Sequence, residues 1–279
     1  MSNRNNMDRM GSAPIHADAP KTSILDFVSP TEFVELPSKG MGYADDHPLC
    51  GKDVIEIRYM TAKDEDILTS ETLLRKGIAL ERLLENIIID KSIDPKTMLI
   101  GDRNAVIIAA RASGYGNAYE THTNCPNCGS KASITFDLSK PKIQEIDVEG
   151  SQVFSKNEKG NYLIKLPQTD FTVETRLLTG KDEQFLTQMA QNNKKNKLGD
   201  SAMTDQYKMM IVSVEGTTDR SILNQFIDVM PAADSRFLRK AYKTIIPNVK
   251  ISEDFTCTSC GHEQELEVSF GADFFWPDS

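Results

Sequence analysis

Two pairs of cysteines are the residues in this chain best suited to a defined chemistry. Cys125 and Cys128 enclose two residues, as do Cys257 and Cys260, and a glycine follows each pair. Two intervening residues let one tight turn present both sulfurs to one ion, and glycine permits the positive φ that such a turn needs. Four thiolates make the closed tetrahedral set of a structural zinc site. We therefore predict that Cys125, Cys128, Cys257 and Cys260 bind one structural Zn²⁺.

Other uses of these cysteines are also compatible with the spacing. Each pair could act as a redox dithiol, the sites could be partly occupied, or two ions could each be completed by another chain. His122 and His262 flank the pairs and could replace a thiolate, although an outer-shell or exposed position is the simpler expectation. Cys50 has no partner by spacing and is expected to be structural.

The rest of the sequence indicates a protein without an active site. A Thr-x-Lys-Asp-Glu motif occurs at Thr61 and again at Thr179, but a helix cap explains it better than catalytic carboxylates do. No phosphate-binding loop, dinucleotide fingerprint, Gly-x-Ser-x-Gly or His-Glu-x-x-His motif occurs. We therefore predict a non-enzymatic protein.

Charge and hydrophobicity argue against two further classes of protein. The formal net charge is −9 over 279 residues, and binding to duplex phosphates normally requires a basic face. No apolar run reaches the ~18 residues that span a bilayer. We therefore expect neither nucleic acid nor a membrane as a partner, and a cytoplasmic location, where cysteines bind metal more often than they form disulfides.

Hydrophobic periodicity predicts a mixture of strands and helices, which is the α+β class. A helix is expected to start at each of the two capping threonines, and a buried helix over the apolar stretch 102–111. The predicted strands cover 33–36, 54–58, 132–136, 162–167, 171–176, 249–251 and 266–270, and the other predicted helices cover 80–88, 181–193, 203–215, 219–229 and 232–246.

An internal repeat relates the two parts of the chain. Residues 56–69 and 174–187 are identical at 8 of 14 positions, with an offset of 118. The offset is 130 between Leu36 and Leu166, each followed by proline, and 132 between the cysteine pairs, so insertions separate the copies. We predict two tandem α+β halves, related by a pseudo-two-fold axis and joined by a zinc-ribbon-like site of four cysteines.

This repeat defines four predicted segments of the chain. Residues 1–30 are polar and are predicted to be a disordered N-terminal arm. Residues 31–138 form the first repeat with its zinc knuckle, and residues 139–160 form a linker. Residues 161–279 form the second repeat, with the second knuckle and an aromatic tail that includes Trp276. That tail is suited either to an interface or to packing against its own domain.

Several short motifs of the first half together carry a resemblance to a known family. They are Leu36-Pro37-Ser38-Lys39-Gly40, Tyr43, Ile57-Arg58, Thr61, Asp64-Glu65 and Leu68-Thr69. With these motifs the chain resembles a family of baseplate proteins from contractile-tailed bacteriophages, the hub or hub-assembly proteins of the T-even type. The similarity covers mainly residues 33–138 and reaches the second half through the repeat.

This resemblance implies a role in building the central hub of the tail baseplate. The expected partners are other tail and baseplate proteins, with self-association as a further possibility. The implied locations are the host cytoplasm during assembly and the tail baseplate of the virion. The resemblance implies no catalytic residues.

A zinc-ribbon protein that binds nucleic acid or acts in transcription is the alternative. Four basic residues with the spacing of one helical face support it: Arg236, Arg239, Lys240 and Lys243. The net charge and the acidic residues after the second cysteine pair oppose it.

Overall fold

The computed structural model describes residues 29–144, 153–157, 159–196, 201–271 and 274–275. The predicted N-terminal arm lies almost wholly outside these ranges, as do the middle of the predicted linker and Trp276. Within the described residues, no helix is long and apolar enough to cross a membrane.

Runs of short strands and runs of helices follow one another along the chain, so the structure is mixed α and β, as predicted. The helices are α1 (Ala62–Thr69), α2 (Glu71–Lys76), α3 (Ala79–Ile87), α4 (Ile100–Tyr115), α5 (Gly180–Lys195), α6 (Ala202–Met210), α7 (Arg220–Val229) and α8 (Ala232–Ile245). The strands are β1 (Thr31–Glu35), β2 (Val54–Arg58), β3 (Ala118–Asn124), β4 (Lys131–Asp137), β5 (Lys142–Gln144), β6 (Val153–Lys156), β7 (Tyr162–Lys165), β8 (Thr172–Thr175), β9 (Ile211–Val214), β10 (Asn248–Lys250), β11 (Ser252–Thr256) and β12 (Glu263–Glu267).

The described strands form small antiparallel sheets. Three are two-stranded hairpins, β1–β2, β3–β4 and β11–β12, and one sheet has four strands in the order β6-β7-β8-β9. The remaining pair joins distant parts of the chain, because β5 pairs with β10. Two of the hairpins, β3–β4 and β11–β12, carry the cysteine pairs in their turns.

An aspartate capping box fixes the start of α1. Asp64, the third residue of the helix, accepts hydrogen bonds from the backbone and side chain of Thr61, both at 2.8 Å. Arg58 at the end of β2 donates to both oxygens of the same carboxylate, at 2.7 and 3.0 Å. The side chain of Asp64 is fully buried, so one carboxylate joins the β1–β2 hairpin to the helix that follows it.

The start of α5 has the same arrangement. Asp182 accepts from the backbone and side chain of Thr179, both at 2.9 Å. Arg176, just after β8, donates to both oxygens of Asp182 at 2.7 and 2.8 Å. The predicted caps at Thr61 and Thr179 are therefore confirmed.

A second kind of buried aspartate anchors α4. Asp102 accepts from the backbone N–H of Ser38 at 2.9 Å, from the Ser38 hydroxyl at 2.6 Å and from the Tyr43 hydroxyl at 2.7 Å. Burial raises the pKa of Asp102, and these three hydrogen bonds offset only part of that effect. The carboxylate ties the first turn of α4 to the loop after β1.

Asp234 anchors α8 in the same way as Asp102 anchors α4. It is fully buried and accepts from the backbone N–H groups of Gln168 at 2.8 Å and Thr169 at 3.0 Å. Asp102 and Asp234 are each the third residue of their helix, and each binds the loop that follows a Leu-Pro pair. These local arrangements correspond between the two parts of the chain, while a tandem duplication of the whole unit stays a prediction.

Three stretches differ from the sequence predictions. The helix predicted over 203–215 ends at Met210, and residues 211–214 form β9, because this β-branched segment pairs with β8 in the four-stranded sheet. The predicted linker 139–160 contains β5 and β6, each of which pairs with a strand of the second half. Helix α4 continues past Gly114 and ends at Tyr115, and the capping residue Gly116 has a φ of 89°.

One hydrophobic core runs through both parts of the chain. It contains Leu83 and Ile107 from the first part, and Ile164 and Leu238 from the second. The two parts are in close contact at Gly101 in α4, where an added Cβ would lie 2.0 Å from the carbonyl oxygen of Pro247. The two parts therefore share one core rather than folding around two separate ones.

Replacing Asp102 with alanine should lower the free energy of unfolding by about 3 kcal/mol, because the buried donors of Ser38 and Tyr43 lose their acceptor. Urea unfolding followed by circular dichroism measures the change. The control is Asp66→Ala on the exposed face of α1, which should change stability by less than about 0.5 kcal/mol. Equal losses in both variants would contradict the anchoring role.

Acid should destabilise the fold through the two capping carboxylates. Burial raises the pKa of Asp64 and of Asp182, but hydrogen bonds from arginine and threonine outweigh it, so both values lie below the ordinary value. Their stabilisation is complete above the unfolded-state pKa of about 4 and is lost as the pH falls through the lower folded-state values.

The double variant Asp64→Asn, Asp182→Asn should therefore be less stable at neutral pH and lose less stability between about pH 4 and pH 2. Thermal unfolding at a series of pH values measures how the melting temperature of the variant and of the wild type depends on pH. The same pH dependence for both proteins would show that other groups control acid unfolding.

Candidate metal centre

The first cysteine pair lies in the turn of the β3–β4 hairpin. The N–H of Cys125 donates to the carbonyl of Ser130 at 2.9 Å, and the N–H of Gly129 donates to the carbonyl of Cys125 at 2.8 Å. Gly129 has a φ of 73°, in the region that favours glycine. These bonds close a tight turn that holds Cys125 and Cys128 on one side.

The second pair lies in the turn between β11 and β12 and has the same geometry. The N–H of Cys257 donates to the carbonyl of His262, and the N–H of Gly261 donates to the carbonyl of Cys257, both at 2.8 Å. The φ of Gly261 is 71°. The two turns are therefore near copies in conformation.

The two turns face each other and bring four sulfurs together. All four Sγ atoms lie within 4.8 Å of one another, with 3.7 Å from Cys125 to Cys260 and 3.7 Å from Cys128 to Cys257. A tetrahedral zinc site with Zn–S bonds of about 2.3 Å has S···S edges of about 3.8 Å. A disulfide requires about 2.05 Å. The spacing therefore fits a tetrahedral tetrathiolate site and not a pair of disulfides.

Burial differs between the inner and outer cysteine of each turn. Cys125 and Cys257 are buried and pack with Phe255 in a small apolar cluster, whereas Cys128 and Cys260 are exposed. Burial raises the pKa of the Cys125 thiol to about 11. The inner sulfurs are thus shielded from water, while the outer ones close the site toward solvent.

Ser130 is a neighbour of the sulfurs that sequence analysis missed. Its hydroxyl lies 3.0 Å from the Sγ of Cys128 and 3.3 Å from the Sγ of Cys257. This hydroxyl lowers the pKa of Cys257 to about 6 and also lowers the pKa of Cys128. Asn127 adds a contact, from its Nδ2 to the Sγ of Cys260 at 3.5 Å. Asn127 lies between the two cysteines of the first turn and Ser130 follows its glycine. A small polar side chain this close to a Cys-x-x-Cys pair is the sequence signal for such a contact.

The other candidate ligands lie outside the cluster. Among the described residues, the four cysteines are the one group of three or more possible ligands whose ligand atoms converge. His122 is exposed on β3, and His262 contributes its backbone carbonyl to the second turn. Cys50 is exposed and lies outside the cluster.

The described part of the aromatic tail folds back next to the first hairpin. Phe274 and Phe275 are buried, and the ring of Phe274 lies 4.9 Å from that of Tyr119 in β3. The guanidinium of Arg111 donates to the carbonyl of Phe274 at 3.3 Å and lies over the Tyr119 ring. Of the two uses left open for the tail, packing against its own domain holds for these two phenylalanines.

A comparison with protein families matches residues 30–276 to the family described as T4 bacteriophage base plate protein. The chain belongs to this family. The matched span contains both cysteine hairpins, the shared core and all of the described strands. No curated protein and no solved structure matches the chain. Membership confirms the resemblance to a T4-type baseplate family and indicates interaction with other phage baseplate proteins.

Gly129→Ala and Gly261→Ala should each destabilise the chain by about 1 kcal/mol, because alanine is strained at positive φ. No atom lies within 4 Å of the position of either added Cβ, so the strain is purely conformational. The matched control is Gly114→Ala inside α4, where the nearest atom is the Met60 sulfur at an ordinary 3.5 Å. That change should stabilise the chain by up to about 1 kcal/mol. Thermal unfolding that gives the same sign at all three positions would contradict this account.

Proposed function

We propose that this chain is a non-enzymatic structural or assembly protein of the hub region of a phage tail baseplate, held together by one structural Zn²⁺. The observation that carries the zinc part is the convergence of four Sγ atoms from two hairpins within 4.8 Å. Family membership carries the baseplate part. The hub location rests on the resemblance of the segment around Leu36 and Tyr43.

The chemistry of the donor set favours zinc among the common metals. Four thiolates in a tetrahedral arrangement suit Zn²⁺ or iron and leave no open position for water or substrate. Bound at Cys125, Cys128, Cys257 and Cys260, the ion would join two hairpins whose first cysteines lie 132 positions apart (257 − 125). The binding free energy would then count directly toward folding.

The carboxylates of the repeated motif support a non-enzymatic role. Asp64 and Asp182 are both committed to an arginine and a helix cap, so neither is available as a general base. Their lowered pKa values also keep them ionised and unsuited to proton transfer near neutral pH. The expected partners are other baseplate proteins, first in the host cytoplasm during assembly and then in the tail of the virion.

The experiment that tests the zinc site is elemental analysis of the purified chain together with its native mass. We expect one zinc per chain in a monomer. One zinc per two chains in a dimer would mean that the ion is shared between copies, which is the self-association left open by the sequence. The absence of any metal with four free thiols would contradict the zinc clamp but not the family assignment.

Cys125→Ser and Cys257→Ser should each abolish stable zinc binding and lower the melting temperature by several degrees, because a thiolate ligand is lost. Removing zinc from the wild type with a chelator should give the same shift. The matched control is Cys50→Ser, an exposed cysteine outside the cluster, which should leave zinc content and melting unchanged. The baseplate role is tested separately, by complementing a phage that lacks this gene and counting assembled tails.

A second candidate function, binding of nucleic acid, is favoured by one observation. Arg236, Arg239, Lys240 and Lys243 are all exposed along α8 and follow the spacing of one helical face. Fluorescence anisotropy with labelled duplex DNA at several salt concentrations tests it. Micromolar binding that weakens steeply with salt, and that is lost when Arg239 and Lys243 are replaced by glutamine, would favour this function over the structural one.

A further inference from the structure

Among the described residues, the β1–β2 hairpin has one edge that is paired, on β2, and one that is open, on β1. The flanking bonds from Tyr59 N–H to the Pro30 carbonyl and from Leu36 N–H to the Asp53 carbonyl set the register. In antiparallel pairing the residues alternate, so Pro30 and the other even-numbered residues of β1 bond to β2. The backbone groups of Thr31, Phe33 and Glu35 therefore point away from the sheet.

The opposite edge, on β2, is used within the chain. The N–H of Ile89 donates to the carbonyl of Glu56 at 3.1 Å, and Ile57 forms an isolated bridge with Ile88. No hydrogen bond to the outward groups of β1 occurs in the part of the chain that the structure describes. Folded proteins normally cover, charge or shorten such an edge because it pairs readily with another strand.

The side chains at this edge are those of a binding surface. Phe33 is 70% exposed at the centre of β1, and Val54 on the neighbouring strand is 44% exposed on the same face. Glu35 and Glu56 stand beside them on that face, so an apolar centre is flanked by carboxylates. Aromatic residues of this kind are enriched in the cores of protein interfaces.

On the inner face of β1, one acceptor lacks a partner. The Oε1 oxygen of Glu32 is buried and accepts no hydrogen bond among the described residues. Next to it on that face, Val34 is 8% exposed and packs in the core. A strand added to the open edge would bring one inward side chain opposite Glu32 and another opposite Val34, because side chains alternate along a strand.

We infer that the open edge of β1 takes up an extended segment of a different baseplate chain as an added strand. This inference rests on the proposed baseplate function. The outward N–H and C=O groups of Thr31, Phe33 and Glu35 supply the hydrogen bonds of the added strand. The partner segment has a lysine or arginine opposite Glu32, an apolar residue opposite Phe33 and a second apolar residue opposite Val34.

A second copy of this chain fits the edge less well. Antiparallel self-pairing centred on Phe33 would place Val34 of the second copy opposite Glu32 and leave the buried oxygen without a donor. Unpaired buried acceptors are costly, whereas a cation at this position forms a charge-assisted hydrogen bond. The charges therefore favour a basic segment of another protein.

The test places a photo-crosslinking phenylalanine analogue at position 33 of the full-length chain during phage assembly. Cross-linked peptides are then sequenced by mass spectrometry. We expect cross-links to one segment of another baseplate protein that contains a basic residue next to an apolar one. The matched control carries the analogue at Phe185, which is 49% exposed on α5 and should give a different peptide or none.

Three results would overturn the inference: no cross-link at position 33 above the Phe185 background, cross-links only to a second copy, or a partner segment without a cation. A charge series adds an independent measurement on the purified complex. Glu32→Lys should weaken partner capture about tenfold or more, and Glu32→Gln by less, because reversal repels the partner's cation while the amide keeps an acceptor. Equal capture by wild type and Glu32→Lys would also overturn it.

Folding controls separate this inference from the proposed function. The variants at positions 32 and 33 should retain the zinc content and melting temperature of the wild type. If a variant no longer captures the partner but keeps its zinc content and melting temperature, the defect lies at the open edge of β1. Normal tail assembly by a phage lacking the gene entirely would instead contradict the baseplate function itself.

Discussion

Buried aspartates that accept backbone hydrogen bonds at helix N-termini hold the parts of this structure in place. Asp64 and Asp182 join a hairpin to the helix that follows it, and Asp102 and Asp234 join a helix to a loop far away in sequence. Each is the third residue of its helix, where unpaired N–H groups and the helix dipole favour negative charge. Asp102 and Asp234 anchor α4 and α8, the two helices that precede the cysteine hairpins.

The cysteine turns lie outside the main core, whereas Tyr119 and Phe136 in the strands of the first hairpin belong to it. Cys125, Cys257 and Phe255 form a small apolar cluster separate from the main core, and few residues pack against it. So small a cluster contributes little apolar burial between the two turns. Four converging sulfurs supply the missing constraint if a metal binds them, and the Ser130 hydroxyl already favours the thiolate form at two of them.

Local patterns were readable from the sequence, and distant pairings were not. The capping boxes and the Cys-x-x-Cys turns each depend on residues within a few positions, so the caps at Thr61 and Thr179 and the two glycine-ended turns were predictable. Metal binding by the four cysteines stays a prediction. Ile211 illustrates the opposite case. Its segment is predicted to be helical from sequence, but it forms a strand because it pairs with β8. The bond from Ser38 to Asp102 crosses 64 positions, and no spacing rule indicates it.

The pairing of β5 with β10 has a consequence for how the chain is made. β5 ends at Gln144, but its partner strand ends only at Lys250, so the ribosome must add about a hundred residues before the two can meet. The sulfurs of the turn that contains Cys125 can likewise meet those of the second turn only after Cys257 has been added. The first part of the chain therefore emerges from the ribosome before the partner strand of β5 and the second cysteine turn have been made. Contacts of such long sequence separation slow folding, because the intervening chain must close a long loop before the contact forms.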